Sequence, residues 1–417
     1  MQLRSILPAR PVAVLTATLA GLVAAGAAQS QSAYITNARP GTVSVIDTRT
    51  NDLVGSPIAV GRQPIGVAVT PDGSKVYVAN ADSDTVSVIA TATNAVIGLP
   101  IAVGDRPSGV AVTPDGSTVY VTNDLSDTVS VIATATDTTV DTDPAQAGVN
   151  PITVGSRPSG RAVTPNGRRV YVTNSGANTV AVIDAATNAL VDTDPDAAGV
   201  NPIQVGIDPN GVAVTPDGQR VYVANAGSDT VSVIATATNS LVDTDPARAG
   251  VDPIQVGRSP IGVVVTPDGR RVYVANGDSD SVSVIDTETN SLVDTDPDQA
   301  GVDPIGVGDR PQGVAVTPDG ARVYAVNSVS DSVSAIDTAT NKVVGDPILV
   351  GDFPVAFGRF IQPAPPPFAG TPGAANCAGQ SLSAAARRYG GTSAAARALG
   401  YGSVAKLQTA IRAFCTG

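Results

Sequence analysis

The chain has 417 residues, a formal net charge of −12, 3% aromatic residues and no histidine. The lack of histidine excludes Ser-His and Cys-His catalytic pairs and removes the commonest protein ligand of haem and zinc. Glu288 is the only glutamate among the 37 acidic residues. Because aspartate favours turns and glutamate favours helices, this bias indicates a turn-rich β protein.

The first residues have the pattern of an export signal. Arg4 and Arg10 are followed by an apolar run over residues 11–27 that ends in the small residues Ala-Gly-Ala. This pattern predicts a signal peptide over 1–28. An N-terminal membrane anchor is the alternative, but the run is short and rich in alanine. We expect an exported protein, periplasmic or at the cell surface, without a transmembrane segment after cleavage.

A tyrosine-containing motif recurs seven times along the chain. Its variants read YITN, YVAN, YVTN and YAVN, and their last residues are Asn37, Asn80, Asn123, Asn174, Asn225, Asn276 and Asn327. The spacing is 43 residues in the first part (Asn80 to Asn123) and 51 in the later part (Asn123 to Asn174). A fixed period of about 20–50 residues indicates a solenoid, a propeller or an array.

Each repeat divides into four short strand patterns. In one repeat these are "GVAVT" from Gly66, "KVYVAN" from Lys75, "TVSVIA" from Thr85 and "LPIAVG" from Leu99. The "TPDG" between the first two fits a type I turn, in which proline fixes φ and glycine closes the turn. Four antiparallel strands rich in valine predict one propeller blade, with the repeat tyrosines buried between blades.

The two ends of the repeat region complement each other. The first repeat lacks the strand that precedes its YITN motif, and the segment Pro354–Ile361, "PVAFGRFI", resembles that strand without its partner. We therefore predict an all-β, seven-bladed β-propeller over residues 29–362, with four-stranded antiparallel blades and a first blade closed by the C-terminal strand.

These motifs resemble the YVTN β-propeller repeat family over residues 33–362. The resemblance implies a seven-bladed propeller of the kind found in exported and cell-surface proteins of bacteria and archaea. Related propellers carry haem, copper-enzyme or quinoprotein functions. Because fold and site are separable, the resemblance does not name a ligand.

Arginines recur in the loops that lead into the first strand of each repeat. We take them as ligand-binding candidates: Arg62, Arg106, Arg157, Arg258 and Arg310. The companion loops carry Asp84, Asp127, Asn178, Asp229, Asp280 and Asp331. We expect Arg–Asp pairs between blades, and the alternative is a guanidinium ring that binds an anion over the central channel. The departures at Ile207-Asp208 and Asp352-Phe353 are where a specific site would most easily arise.

The longer repeats contain an inserted segment of the type "VDTDPAQAGVNP", beginning at Val140, Val191, Val242 and Val293. Asp-x-Asp-x-Asp can wrap calcium, but the third acid is Ala145 or Ala247 in two copies, and the glycine and distal glutamate of a calcium loop are missing. A solvated Asp-Pro turn explains these loops more simply. We predict no metal site and no cofactor, and we leave calcium open.

The C-terminal part has a different composition. Residues 363–375 form a Pro/Ala/Gly-rich linker, and residues 376–417 predict three short helices with Val404, Leu407, Ile411 and Phe414 on one stripe. In an exported protein, Cys377 and Cys415 are expected to form a disulfide, worth about 4 kcal/mol. This module has no acids and carries the bases Arg387, Arg388, Arg397, Lys406 and Arg412. It could dock on the acidic propeller or bind an anionic surface.

These observations predict a monomeric, exported propeller that is not an enzyme, has no catalytic residues and serves as a binding scaffold. Its partner would be a protein or an anionic envelope polymer. We expect no nucleic-acid partner, because the chain is acidic and lacks aromatic platforms for stacking. The alternative is an extracytoplasmic, metal-dependent hydrolase of lactonase type, or a redox accessory protein.

Overall fold

The computed structural model describes residues 31–363 apart from 195, 246, 249, 297, 299 and 300, and also residues 382, 392 and 404–416. Over this part the chain forms seven antiparallel sheets, each built from consecutive strands. The adjacent sheets contact each other through their first strands, so they are arranged as seven blades around a central channel. The predicted signal peptide, nearly all of the linker and Cys377 lie outside the described residues, as does the predicted disulfide.

Three strand positions, counted outward from the channel, are regular in the blades, except for the innermost position of blade 1. The innermost strands of blades 2–7 are Pro64–Val69, Pro107–Val112, Pro158–Val163, Pro209–Val214, Pro260–Val265 and Pro311–Val316. The second strands of blades 1–7 are Ser32–Asn37, Lys75–Asn80, Thr118–Asn123, Arg169–Asn174, Arg220–Asn225, Arg271–Asn276 and Arg322–Asn327. The third strands are Thr42–Asp47, Thr85–Ala90, Thr128–Ala133, Thr179–Asp184, Thr230–Ala235, Ser281–Asp286 and Ser332–Asp337.

The outer strand is less regular than the sequence predicts. It is continuous only in blade 2, as Ala95–Ala102. In the other blades two short segments pair with the third strand: Asp52–Leu53 and Ile58–Ala59, Thr138–Val140 and Ile152–Thr153, Ala189–Leu190 and Ile203–Gln204, Ser240–Leu241 and Ile254–Gln255, Ser291–Leu292 and Ile305–Gly306, and Lys342–Val343 and Ile348–Leu349. Inserted residues or a positive-φ glycine such as Gly55 interrupt the ladder there.

The ring closes as predicted. Ala33 bridges Ile361 and Asn37 bridges Pro354, so the C-terminal segment occupies the innermost position of blade 1. The Val355 amide donates to the Thr36 carbonyl at 2.9 Å. This segment is bent, because Ala356 has a φ of 44°. Both chain ends of the propeller therefore meet in one blade, and the ring leaves no unpaired inner edge.

The hydrophobic core lies between neighbouring blades. Val86 and Val88 of blade 2 pack in one cluster with Val119 and Val121 of blade 3, and the other junctions repeat this arrangement. The seven repeat tyrosines are at most 1% exposed, which confirms their predicted burial. Each hydroxyl donates to the next blade, as from Tyr222 to Asn290 Oδ1 at 2.8 Å. Burial raises the pKa of most of these phenols, because their charged form would lose its hydration.

The innermost strands approach one another closely at a shared glycine position. A Cβ on Gly211 would lie 2.1 Å from the Ile261 carbonyl oxygen, and one on Gly66 would lie 2.5 Å from that of Ser108. Any other residue would push the strands apart. This glycine therefore sets the width of the channel.

The predicted turns are present, and so is the last of the three predicted helices; the other two lie outside the described residues, except for 382 and 392. The Gly73 amide donates to the Thr70 carbonyl at 2.8 Å, closing the "TPDG" turn. A helix spans Val404–Thr416, with Leu407 and Ile411 at most 1% exposed. Lys406 Nζ donates to the main-chain oxygen of Asp115 at 3.5 Å, so the helix lies beside a turn of blade 3. No helix in the described part of the chain is long and apolar enough to cross a bilayer.

Candidate functional site

One face of the propeller carries the loops that lead into the innermost strands, and we call it the mouth face. Here, in five blades, the aspartate before the third strand accepts a hydrogen bond from a backbone amide of the next blade's loop, and Asn178 does the same in blade 4. Asp127 Oδ1 accepts from the Arg157 amide at 2.8 Å, and Asp280 Oδ1 accepts from the Arg310 amide at 2.8 Å. Arg157 and Arg310, which donate these amides, both have a positive φ. These carboxylates therefore fix the loops through the backbone and not through guanidinium groups.

The predicted Arg–Asp pairs consequently do not form at these positions. The five arginines are exposed and occupy two different places in their loops, since Arg62 and Arg258 stand one residue earlier than Arg106, Arg157 and Arg310. Arg62 and Arg258 donate to the main-chain oxygens of Asp82 and Asp278, at 2.6 and 2.9 Å. Thus the five side chains do not form one regular ring.

Two of the arginines meet at a single buried carboxylate. Asp124 Oδ1 lies 3.4 Å from Arg157 Nε, and Asp124 Oδ2 lies 3.7 Å from Arg106 Nε. The carboxylate is 11% exposed, whereas the two arginine side chains are 45% and 59% exposed. The corresponding residue is alanine, serine or glycine in every other blade. Blades 3 and 4 therefore share a charged cluster that breaks the sevenfold repetition.

A second departure from the repeat lies inside the channel. Arg161 stands where blades 2, 3, 5, 6 and 7 have valine, and it is 7% exposed. Its Nη2 donates to the Val110 oxygen of blade 3 and, at 3.0 Å, to the Phe357 oxygen of blade 1. Its Cζ lies 5.6 Å from the Phe357 ring centroid. The side chain thus spans the channel from blade 4 to blade 1.

Arg161 is a buried cation without an acidic partner in the described residues. Burial lowers the pKa of Arg161 to about 9, so the guanidinium remains charged at neutral pH. Its Nε is buried and has no hydrogen-bond partner in the same part of the chain. Gly109 and Gly358 leave the space that the side chain fills, since a Cβ on either would lie within 2.7 Å of it. A fixed positive charge therefore lies in the channel below the Asp124 cluster.

The rim of the channel is polar beside this cluster and apolar on other sides. Ser108 Oγ lies 3.1 Å from Thr122 Oγ1, and Ser159 Oγ donates to Asn210 Oδ1 at 3.1 Å. Ile65 and Ile261 instead pack with the apolar cluster around Val355 and Phe357. The side of the rim formed by blades 3–5 can therefore hydrogen-bond a polar ligand, while the apolar side can exclude water from it.

Carboxylate, guanidinium and hydroxyl groups at one rim can bind and polarise a carbonyl compound and orient water against it. Asp124 and Arg161 were not among the predicted site residues, although both are exceptions to the repeat: Asp follows "YVTN" once, and "GRAV" replaces "GVAV" once. The described residues contain no group of three or more Cys, Asp or Glu side chains placed to hold a metal ion.

Solved structures with the same fold cover most of the chain. Hydrazine synthase of Kuenenia stuttgartiensis is 25% identical, with 74% of this chain and 92% of that chain covered and a TM-score of 0.59. A 6-phosphogluconolactonase-like protein of Bacteroides fragilis is 18% identical, with 79% and 98% covered and a TM-score of 0.60. At such low identity the second likeness shows the fold alone.

A curated relative matches over a shorter stretch. The seven-bladed β-propeller protein Rv1057 of Mycobacterium tuberculosis is 30% identical over 158 residues, which are 37% of this chain and 36% of the relative. The chain thus spans about a third of the relative's length. These matches support a seven-bladed propeller family, while the finer resemblance to YVTN repeats stays a prediction.

The model of the family described as lactonase, seven-bladed β-propeller, matches residues 98–245, 155–307 and 212–345. Together these overlapping matches span more than half of the chain. The prediction that the protein is not an enzyme is therefore wrong, because this family points to a hydrolase. The absence of histidine excluded particular catalytic pairs, but it does not exclude hydrolysis by carboxylate and guanidinium groups. The chain belongs to the lactonase seven-bladed β-propeller family.

Proposed function

We propose that the protein is a hydrolase that opens the ester ring of a lactone at the mouth face, between blades 3 and 4. The observation that carries this proposal is the buried Asp124 held between Arg106 and Arg157. Membership of the lactonase propeller family supports the reaction class. The location of the site is supported by the fact that an aspartate occupies this position in only one of the seven blades.

The reaction needs a base for water and donors for the carbonyl oxygen. In our proposal Asp124 accepts a proton from water as the water oxygen bonds to the carbonyl carbon. The outward guanidinium groups of Arg106 and Arg157 donate to the carbonyl oxygen, where negative charge develops. The ring C–O bond then breaks, the ring oxygen takes up the proton, and a hydroxy acid leaves.

The neighbouring groups have roles in binding. Ser159 and Asn210 already share a hydrogen bond at the rim, and they can exchange it for hydroxyl groups of a sugar-like lactone. Arg161 lies deeper and contributes positive potential, which favours the negatively charged transition state. Arg161 is a positioning residue in this scheme, because its Nη2 is occupied by two carbonyl oxygens.

The experiment is a pH-stat assay of the purified protein with a panel of five- and six-membered lactones, including aldonolactones. We expect Asp124→Asn to lower kcat/KM at least about 100-fold, the usual loss when a general base is removed. Asp278→Asn is the matched control, since Asp278 is on the mouth face of blade 6 and engages Arg258 only through its main-chain oxygen. The control should retain the wild-type rate.

Two results would contradict the proposal at different points. If the wild-type protein opens none of the lactones, the reaction class is wrong. If it opens them and Asp124→Asn retains full activity, the reaction stands and the assigned site is wrong.

We also propose that the protein is exported, on the basis of the N-terminal pattern of Arg4, Arg10 and the apolar run over residues 11–27. Mass spectrometry of the mature N-terminus tests this, and a protein that retains residues 1–28 would contradict it. The basic C-terminal residues suggest an anionic envelope polymer as a partner for the chain.

A further inference from the structure

The strands that line the central channel carry almost no charge. Six of them read PIGVAV, PSGVAV, PSGRAV, PNGVAV, PIGVVV and PQGVAV, and the seventh segment is Pro354–Ile361. None of the seven contains an acidic residue, and their only charged residues are Arg161 and Arg359. The inner strands of a chain whose net charge is −12 therefore carry positive charge alone.

The Arg161 guanidinium is held by groups that do not neutralise it. Nη2 donates to the main-chain oxygens of Val110 and Phe357, and Cζ lies 5.6 Å from the centroid of the Phe357 ring. These contacts orient the guanidinium and stabilise it, but carbonyl oxygens and an aromatic ring carry no net charge. Arg161 is only 7% exposed, and a buried charge without a counter-ion is costly.

Donors remain beside this guanidinium for a further partner. Nη2 of Arg161 is occupied and Nε is enclosed without a partner in the described residues, so Nη1 is the donor that a ligand in the channel can reach. The backbone amides of Gly358 and Arg359 donate to no backbone oxygen in this part of the chain. A Cβ on Gly358 would lie 2.6 Å from Nη2, so these amides are close to the guanidinium. Backbone amides next to a cation favour an anionic ligand.

Arg359 adds a second cation to the channel. Its main-chain oxygen accepts from the amide of Val69, the last residue of the inner strand of blade 2, at 3.1 Å. It therefore lies towards the end of the channel that is opposite to the mouth face. Burial lowers the pKa of Arg359 without an opposing contribution from an acidic group, although the side chain is exposed. A side chain that is accessible and yet surrounded by protein is expected inside a channel.

We propose that the channel binds one small monovalent anion, chloride in physiological salt, at Nη1 of Arg161. A single negative charge matches the single guanidinium at this level. A larger or doubly charged anion fits less well, because the inner strands approach one another closely at Gly66 and Gly211 and because strong hydration would be lost on burial. Arg359 attracts the anion from the opposite end of the channel.

The proposal is independent of the hydrolase function, since Asp124, Arg106 and Arg157 belong to the mouth loops. A bound anion offsets part of the positive potential that Arg161 supplies at the rim, so the kinetic experiments on Arg161 require low chloride. Anion binding is measured without a lactone. The two proposals can therefore fail separately.

The experiment is ³⁵Cl NMR of the full-length protein at constant ionic strength, with sodium isethionate replacing NaCl. Exchange of chloride with a protein site broadens the ³⁵Cl line, and we expect bromide to abolish the broadening caused by the wild type. Arg161→Val should not broaden the line; it has the valine that five other blades have here, so it is expected to fold. Arg168→Val removes an exposed arginine of the same blade and should behave as the wild type.

Thermal unfolding is the second measurement. Chloride is expected to raise the Tm of the wild type and of Arg168→Val relative to isethionate, because an anion that binds only the folded protein stabilises it. The Tm of Arg161→Val should be the same in both salts. Circular dichroism checks the fold of each variant, and Arg161→Met replaces Arg161→Val if the latter does not fold. Arg161→Lys keeps the charge and should retain chloride binding.

Three results would overturn the proposal. The first is equal ³⁵Cl broadening by the wild type and Arg161→Val, and the second is the absence of any broadening that bromide removes. The third is competition by formate without competition by bromide, which would show that the channel binds a carboxylate and not chloride.

Discussion

Replacing Arg161 by methionine tests whether the buried guanidinium is kept for stability or for activity. The variant loses two hydrogen bonds from a charged donor, to the Val110 and Phe357 oxygens, worth about 1.5–3 kcal/mol each. It also loses the contact with the Phe357 ring, worth about 2 kcal/mol when desolvated. Against this, the cost of burying the charge disappears. A fall in pKa from 12.5 to about 9 corresponds to roughly 5 kcal/mol.

These contributions nearly cancel. Methionine also fills most of the space beside Gly109 and Gly358, so the substitution leaves no large cavity. We expect the free energy of unfolding to change by less than about 2 kcal/mol. Urea unfolding followed by circular dichroism measures it. Val212→Met, at the equivalent position of blade 5, controls for the added side chain.

Activity is expected to respond differently from stability. Because Arg161 contributes positive potential below Asp124, Arg161→Met should lower kcat for lactone opening more than it raises KM. Arg161→Lys should recover part of kcat, since it restores the charge without the planar donor group. A loss of stability above about 4 kcal/mol, with kcat unchanged in the folded fraction, would refute this reasoning and make Arg161 a structural clamp.

Two further predictions concern the frame of the propeller. Gly211→Ala should destabilise the protein by several kcal/mol, because its Cβ would lie 2.1 Å from the Ile261 oxygen. Gly306→Ala has open space around it and should be neutral. Equal Tm values for the two variants would contradict the close approach of the inner strands. The pKa of Asp217 is lowered because hydrogen bonds from Thr215 and the Gln219 amide, together with Arg220, outweigh the opposing effect of burial. Its contribution to stability is therefore present above the unfolded pKa of about 3.9 and lost as pH falls through the lower folded pKa. Asp217→Asn should therefore make the Tm fall less steeply below pH 4. The corresponding difference in the free energy of unfolding should be under about 1 kcal/mol, because the side chain is exposed. The same dependence of Tm on pH in the variant and the wild type would contradict this prediction.

Much of the architecture was predictable because each blade repeats the same local signals. Valine alternation, the "TPDG" turn and the YxxN motif specify the inner three strands, and the missing strand before Tyr34 predicts closure by Pro354–Ile361. The outer strand was predicted less well. Its residues are exposed and pair on one side only, so burial does not fix their register.

The site was harder to predict because its groups are distant in sequence. The recurring arginines suggested a ring of Arg–Asp pairs or of guanidinium groups. In the structure the companion aspartates accept from backbone amides, and only Arg106 and Arg157 share a carboxylate. Asp124 and Arg161 were visible as exceptions to the repeat, but their roles depend on which atoms the neighbouring blades place beside them. The non-enzymatic interpretation was overturned by the family match, because it relied on the residue types that the chain lacks.

By itself the sequence determined the blade, its number of copies and the joining of the two chain ends, because these follow from local periodicity and the need to bury both faces of every sheet. Tertiary structure alone decided that Asp124 lies between two guanidinium groups and that Arg161 crosses the channel. Such contacts join residues of different blades. Their energies depend on distance and burial, which residue identity along one chain does not specify.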